Sequence, residues 1–254
     1  MAHSHQQHLR ESFQQDGYVQ LTAFVDEPTI NEVDQQLQRF IDTTVPTMPA
    51  DHVFYENKQD PTTLKQIQHL ETHDSWFHSL FTDSPFRRIA ETLLGGDCIP
   101  MNLQYFNKPP KLSKATPPHQ DAYYFMITPC EAVTMWLALD EVDDGNGCIR
   151  YLVGSHLGDL IPHEQTATLG FSQGIADYFR HCDTRKERPL HAARGDLLAH
   201  HALTVHRAEA NASETRQRRA IGFIYYSAEA EQDSVAHAAY QERLKQRMAA
   251  TNRI

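Results

Sequence analysis

Cysteine is scarce: four among 254 residues, Cys98, Cys130, Cys148 and Cys182, none in C-x-x-C spacing. This excludes a disulfide scaffold and a thiolate zinc module, and fits the reduced thiols of a cytoplasmic protein. Long apolar runs are missing; no stretch reaches the ~20 residues that span a bilayer. No N-terminal segment joins a charged start, an apolar centre and a small-residue cleavage site, so a secretory leader is not expected. Positive charge is in deficit, with 23 Lys and Arg against 33 Asp and Glu and a formal net charge of −10. Such a surface argues against general nucleic-acid binding. It does not argue against a small anion, because one local basic pocket would hold it. Internal repeats and low-complexity linkers are also absent. The partner expected is a small molecule rather than nucleic acid or membrane, and the oligomeric state stays open.

What is present reads as helices followed by many short strands. Met1 to Gln7 is polar and rich in histidine, stands apart from the site argument, and falls in a segment 1–12 expected to be flexible. Pro28 to Ile41 places Ile30, Val33, Leu37 and Phe40 on one helical face, with Asp26 as cap. Ser84-Pro85, then Phe86, Ile89, Leu93 and Gly95, reads as a capped helix with a glycine stop. From Cys98 the period changes to two: Ile99, Met101, Leu103 and Tyr105 alternate with Pro100, Asn102, Gln104 and Phe106. Further strands are expected at Ala132–Leu139, Ile149–Val153, Asp196–His201 and Ala220–Tyr226, separated by turn-rich Asn107–Pro118, Asp143–Gly147 and Glu209–Gln217. Residues 233–254 should hold a terminal helix whose weak apolar face is Val235, Ala239 and Leu244. This order predicts one mainly β domain over residues 1–254, a helix-backed jelly roll or barrel.

The chemistry centres on His119-Gln120-Asp121. Side chains at i and i+2 leave one face of a strand, so an imidazole and a carboxylate would aim at one spot. A second histidine from elsewhere would complete a set that leaves other metal positions open, as suits a non-haem Fe(II) oxygenase. His-x-Asp is short, and about one accidental match is expected in a chain with this many of both residues. His181-Cys182-Asp183 is a second match. It precedes Thr184 to Arg188, a charged run without strand alternation that reads as a solvated loop. His119 instead precedes Ala122 to Ile127, an aromatic and β-branched run that reads as a strand. Three histidines compete for the third ligand place. His200 and His201 are adjacent and point to opposite faces, and their ordinary reading is hydrogen-bonded barrel histidines. His206 is favoured because Arg216, Arg218 and Arg219 follow it. An Fe(II) centre of this type needs a reductant, and 2-oxoglutarate leaves a distal carboxylate that a planar guanidinium holds well.

The ordered motifs carry a resemblance. They begin with Phe13-Gln14-Gln15-Asp16-Gly17-Tyr18-Val19, Asn107-Lys108-Pro109-Pro110, Pro118-His119-Gln120-Asp121 and Trp136-Leu137-Ala138-Leu139. Gly145-Asn146-Gly147-Cys148, Gly154-Ser155-His156, Gly195-Asp196 and the stretch from His206 to Arg218-Arg219-Ala220 complete them. From about Phe13 to Tyr226 the chain resembles the phytanoyl-CoA dioxygenase family of Fe(II)/2-oxoglutarate oxygenases. The resemblance implies a double-stranded β-helix, iron held by His119, Asp121 and His206, and a hydroxylase that converts 2-oxoglutarate and O2 to succinate and CO2. It implies that 2-oxoglutarate meets Arg218 and the positions of Gln104 and Trp136, with Lys65 nearby. Arg218 lies one residue beyond the family's usual spacing, so the match takes a one-residue insertion in the Glu214–Gln217 turn. Alternation then sets Arg218 on the face of Ala220 and Gly222, and Arg219 on that of Ile221 and Phe223. Gly154-Ser155-His156 is a family landmark that reads as a structural turn. A retained Asp121 points to hydroxylation rather than halogenation. Two other readings are a non-catalytic barrel that binds a small ligand and a non-oxidative cupin-like metal enzyme. The substrate is not legible; Tyr123, Tyr124, His200 and His201 are pocket candidates that could equally be core.

Overall fold

The computed structural model describes residues 2–168 and 171–250. Helix α1 (Ala2–Asp16) leads into strand β1 (Tyr18–Leu21), then α2 (Glu27–Thr43) and the pair β2 (Val53–Tyr55) and β3 (Leu64–Ile67). Three helices follow, α3 (Leu70–His73), α4 (Ser75–Thr82) and α5 (Pro85–Leu94), then the long β4 (Cys98–Asn107) and β5 (Thr116–His119). Next come α6 (Ala122–Phe125), β6 (Ile127–Thr128), β7 (Ala132–Ala138), β8 (Ile149–Leu152), β9 (His163–Thr168), β10 (Phe171–Ile175) and α7 (Tyr178–His181). The chain closes with β11 (Glu187–Leu190), β12 (Leu197–His201), β13 (His206–Ala208), β14 (Arg219–Ser227), β15 (Glu231–Gln232) and α8 (Ser234–Ala250).

Most neighbouring strands in the two larger sheets are distant in sequence. A seven-stranded sheet runs β1-β12-β7-β14-β4-β3-β2, and a four-stranded sheet runs β11-β8-β13-β5. These antiparallel sheets form the double-stranded β-helix. The helices cover the outer face of the large sheet. Ile30, Val33, Leu37 and Phe40 of α2 are all buried, and the Asp26 carboxylate caps the helix by accepting from the Thr29 N–H at 3.0 Å. Phe77 and Phe81 of α4 and Phe86 and Leu93 of α5 join them against Met135, Leu137, Ile221 and Phe223. The alternate residues Trp136, Ala138, Leu198 and Ala220 face the small sheet's Ile149 and Tyr151. Strand β7 is therefore buried on both faces, which is why its sequence is a nearly unbroken apolar run.

The structure corrects several expectations. Ala122–Ile127 is not a strand; it is the short helix α6 followed by β6, because Ala122 and Phe125, three apart, both bury against Ile127. His119 and Asp121 therefore do not share a strand: His119 ends β5 and Asp121 opens α6. Part of turn-rich Asn107–Pro118 is strand β5, and its prolines are tolerated because β5 is an edge. The charged run through Arg188 is only partly loop: Glu187–Leu190 pairs with β8 as an edge strand. In β4 the alternation breaks. Ile224 and Tyr225 pair with Asn102 and Pro100, so Met101 bulges and the faces invert below it. Cys98 is thereby buried and Ile99 is 44% exposed. On α8, Val235 is exposed and Tyr240 makes the buried contact. The segment 1–12 belongs to α1 from residue 2 onward; Met1 and residues 251–254 lie outside the described residues. Strands β9 and β10 were not anticipated.

Candidate metal centre and cosubstrate pocket

Strands β5 and β13 pair so that His119 lies directly opposite His206, with ring centroids 4.1 Å apart. Each ring is oriented by its own backbone. The Nδ1–H of His119 donates to the Pro117 carbonyl at 2.8 Å and that of His206 to the Thr204 carbonyl at 3.0 Å. Both Nε2 lone pairs are thus turned the same way, the arrangement that fixes the tautomer of a metal-binding histidine. Asp121 Oδ1 stands 3.5 Å from His119 Nε2 and 3.8 Å from His206 Nε2. Ligand atoms on one face of an octahedral ion sit about 3 Å apart for bonds near 2.1 Å, so closure by less than an ångström suits an ion.

The other carboxylate oxygen is already engaged. Asp121 Oδ2 accepts from the Thr134 hydroxyl at 2.6 Å and from His200 Nε2 at 3.1 Å. His200 Nδ1 in turn accepts from the buried Tyr151 hydroxyl at 3.0 Å. Oδ1 alone remains for a metal. Burial opposes charge on Asp121, yet His206, His119 and His200 hold its carboxyl well below the usual range. Burial, with His119 and His200 alongside, holds His206 well below its ordinary value, so its imidazole is neutral. An ionised carboxylate and a neutral imidazole are the forms that bind metal.

Arg218 precedes β14 and turns inward, as the alternation with Ala220 and Gly222 requires. It is buried, and its guanidinium lies over the Trp136 ring at 4.9 Å. It makes no ion pair or side-chain hydrogen bond among the described residues, and Arg218 Nε is a buried donor without partner. Burial pushes its pKa down to about 10. Arg216 and Arg219 are spoken for: Arg216 pairs with Asp143 at 2.8 Å, and Arg219 with Asp140 at 2.7 Å and Asp34 at 3.2 Å. A narrow cavity of about 20 Å³ opens beside Arg218, lined also by Lys65, Gln66, Asn107 and Lys108. Gln66 Oε1 and Asn107 Oδ1 are orphaned there too. Lys65 is paired with Glu56 at 2.8 Å, and Gln104 Oε1 accepts from Gln66 Nε2 at 2.8 Å. Thr116, at the start of β5, lines the same cavity, so β5 spans roughly 10 Å between it and His119. A buried, unpaired guanidinium among orphaned polar atoms fits one carboxylate of a short dicarboxylate.

The remaining candidates sort clearly. His181 and Asp183 are exposed at the end of α7, and Asp183 pairs with Arg185. His201 points away from the centre toward Glu131 at 3.4 Å. Ser155 accepts from the Val205 N–H at 2.8 Å, so the Gly154-Ser155-His156 turn supports the approach to His206. Among the described residues one further grouping could hold an ion, Asp144, Cys148 and His191, but Arg150 and His191 already pair with Asp144. Sequence reasoning missed Thr134, Tyr151 and Lys108. Only Lys108 carried a signal, inside Asn107-Lys108-Pro109-Pro110.

Comparison with known proteins matches the phytanoyl-CoA dioxygenase family over residues 13–220. The chain belongs to the phytanoyl-CoA dioxygenase family. This is a family of Fe(II)- and 2-oxoglutarate-dependent oxygenases. The chain is 25% identical to bovine peroxisomal phytanoyl-CoA dioxygenase over 220 residues, covering 81% of this chain and 64% of that one. It is 31% identical to the human enzyme over 151 residues, covering 56% of this chain and 43% of that one. The match thus spans about half to two thirds of these relatives. Among solved structures, the epimerase SnoN with Fe3+, alpha ketoglutarate and nogalamycin RO aligns with a TM-score of 0.71 at 22% identity, covering 90% of this chain and 86% of that one. EctD from S. alaskensis with 2-oxoglutarate and 5-hydroxyectoine aligns at 0.72 and 16%, covering 87% and 75%. These likenesses show the shared fold.

Proposed function

We propose that this member of the phytanoyl-CoA dioxygenase family hydroxylates a small metabolite, with 2-oxoglutarate and O2 consumed and succinate and CO2 formed. His119, Asp121 and His206 would hold Fe(II); Arg218, backed by Trp136, would hold the distal carboxylate of 2-oxoglutarate, with Lys65 lining the same cavity and Gln104 bonded to its wall through Gln66. The observation that carries this reading is the combination of a His-Asp-His cluster with a buried guanidinium that has no counter-ion among the described residues. Neither alternative explains both. A non-catalytic barrel has no use for three converging ligands, and a non-oxidative metal enzyme has no use for the unpaired cation.

Iron held here would activate O2, the oxidant, with 2-oxoglutarate as the electron donor; the chain supplies orientation. Carbonyls of Pro117 and Thr204 set the two imidazoles, and Thr134 with His200 sets the carboxylate. Tyr151, in one apolar cluster with Trp136, packs against His200 and His206 and shields that side of the centre. Four free cysteines, three of them buried, support a reducing compartment such as the cytoplasm, and no described helix is long and apolar enough to cross a membrane. The test is stoichiometric: the purified protein with Fe(II), 2-oxoglutarate and O2 should form succinate in proportion to O2 consumed, faster when substrate is present. Absence of succinate under all conditions would refute the reading.

A further inference from the structure

Strand β14 opens at Arg219, which lies opposite Asn107 at the end of β4. One step further along, the Lys108 N–H donates to the Arg218 carbonyl at 3.1 Å, so the ladder continues to the pair Lys108 and Arg218. Residues directly opposite in an antiparallel ladder leave the same face, with Cβ atoms about 5 Å apart. Lys108 thus shares the inward face of Arg218, together with Phe106 and Gln104 by the two-residue period. Both residues are 5% exposed, and both line the cavity of about 20 Å³. The Lys108 backbone is held on its other side as well, where Asn211 Nδ2 donates to its carbonyl at 2.8 Å.

Two like charges directly opposite each other are destabilising, the more so when buried without a partner. Lys108 makes no ion pair among the described residues. Its ammonium carries three N–H donors, and one of them meets the Lys114 carbonyl at 2.7 Å. The carboxylates that bear on it, Glu56 and Glu209, are each paired elsewhere: Glu56 with Lys65 at 2.8 Å, and Glu209 with Arg207. Burial, with the Arg218 and Lys65 charges alongside, holds the ammonium well below its ordinary value. Lys65, on the same cavity, therefore has its own counter-ion, whereas Lys108 has none among the described residues. The cavity has room for roughly one or two waters, so a carboxylate that enters it meets both cations at once.

We propose that Lys108 is the second cation on the distal carboxylate of 2-oxoglutarate, its ammonium closing on that group from the end of β4 while Arg218 holds it from the start of β14. Lys108, rather than Lys65, is then the lysine that makes the pocket select a dicarboxylic oxo acid. The inference rests on the oxygenase reading above, because that reading puts a carboxylate in this cavity.

The experiment titrates the Fe(II) protein without O2, following the visible band of the chelate, with 2-oxoglutarate and with 2-oxopentanoate. The two oxo acids chelate through the same end and have the same chain length, but 2-oxopentanoate ends in a methyl group. Their affinity ratio therefore isolates the distal carboxylate. In Lys108→Met the ratio should fall about tenfold or more, while the affinity for 2-oxopentanoate stays nearly that of wild type. Lys108→Gln, whose amide can still donate to the Lys114 carbonyl, should lose the ratio equally, and it decides the matter alone where Lys108→Met does not fold. A merely structural lysine predicts a different pattern: both affinities fall together in Lys108→Met, and glutamine restores them. That pattern, or a wild-type ratio in the folded variants, would overturn the proposal. A band in wild type with an unmoved ratio removes the role of Lys108 alone; no band in wild type with either oxo acid removes the oxygenase reading itself.

Discussion

Replacing Arg218 with methionine should have opposite effects on the empty and loaded protein. At neutral pH the guanidinium is charged in both folded and unfolded chains. Burial pushes its pKa from the ordinary 12.5 down to about 10. At ~1.4 kcal/mol per pH unit, holding that charge in the folded protein costs about 3 kcal/mol. The contact with Trp136 offsets about 1–2 kcal/mol of this. Methionine fills similar space without charge, so Arg218→Met should stabilise the unliganded protein by about 1–2 kcal/mol, roughly 2–8 °C in Tm. The same change removes the group proposed to hold 2-oxoglutarate and should weaken its binding by about 2–5 kcal/mol, roughly 30- to 5,000-fold. Scanning calorimetry with and without 2-oxoglutarate, and titration of the anaerobic Fe(II) protein, read both quantities. Arg219→Met is the contrast: it breaks pairs with Asp140 and Asp34, so it should lower Tm and leave 2-oxoglutarate affinity nearly intact. A lowered Tm in Arg218→Met together with an unchanged 2-oxoglutarate affinity would show that Arg218 is a structural cation, and the register across the Glu214–Gln217 turn would be wrong.

His119→Ala, Asp121→Ala and His206→Ala should each abolish turnover and weaken Fe(II) binding strongly, as measured by equilibrium dialysis, whereas His181→Ala and Asp183→Ala should change neither. Asp121→Gly should end hydroxylation and make the spectrum of the iron-loaded protein sensitive to added chloride; full hydroxylase activity would show that Asp121 is not a ligand. Gly222→Ala places a Cβ 2.7 Å from the Phe106 ring, so it should destabilise the fold by about 1–3 kcal/mol in denaturant unfolding and disturb the neighbouring Gln104 and Trp136.

The parts legible in the sequence were those with strong local periodicity. Helix α2 and its Asp26 cap, helix α5 between Ser84 and Gly95, and strands β7, β12 and β14 follow from spacing alone. The ordered motifs supplied the distant partner His206, which composition could not choose over His200. Tertiary packing decided the rest. Ala122 to Phe125 has strand-like residues, but burying Ala122 and Phe125 together needs a helical turn. Asp121 reaches the centre from a helix start rather than from the β5 strand. The inverted faces of Cys98 and Ile99 depend on one bulged residue opposite β14, which no two-residue period can reveal. Thr134 and Tyr151 look like ordinary strand residues; their hold on Asp121, direct or through His200, exists only once β7, β8 and β12 are assembled around it.

The most direct test of the central claim is an anaerobic titration of the purified protein with Fe(II) and then 2-oxoglutarate, followed in the visible range. His119, Asp121, His206 and Arg218, acting as assigned, predict a weak charge-transfer band that saturates at one iron and one 2-oxoglutarate per chain. The band should be lost in Asp121→Ala and shifted to far higher 2-oxoglutarate concentration in Arg218→Met. No band in wild type, or an undiminished band in both variants, would contradict the account.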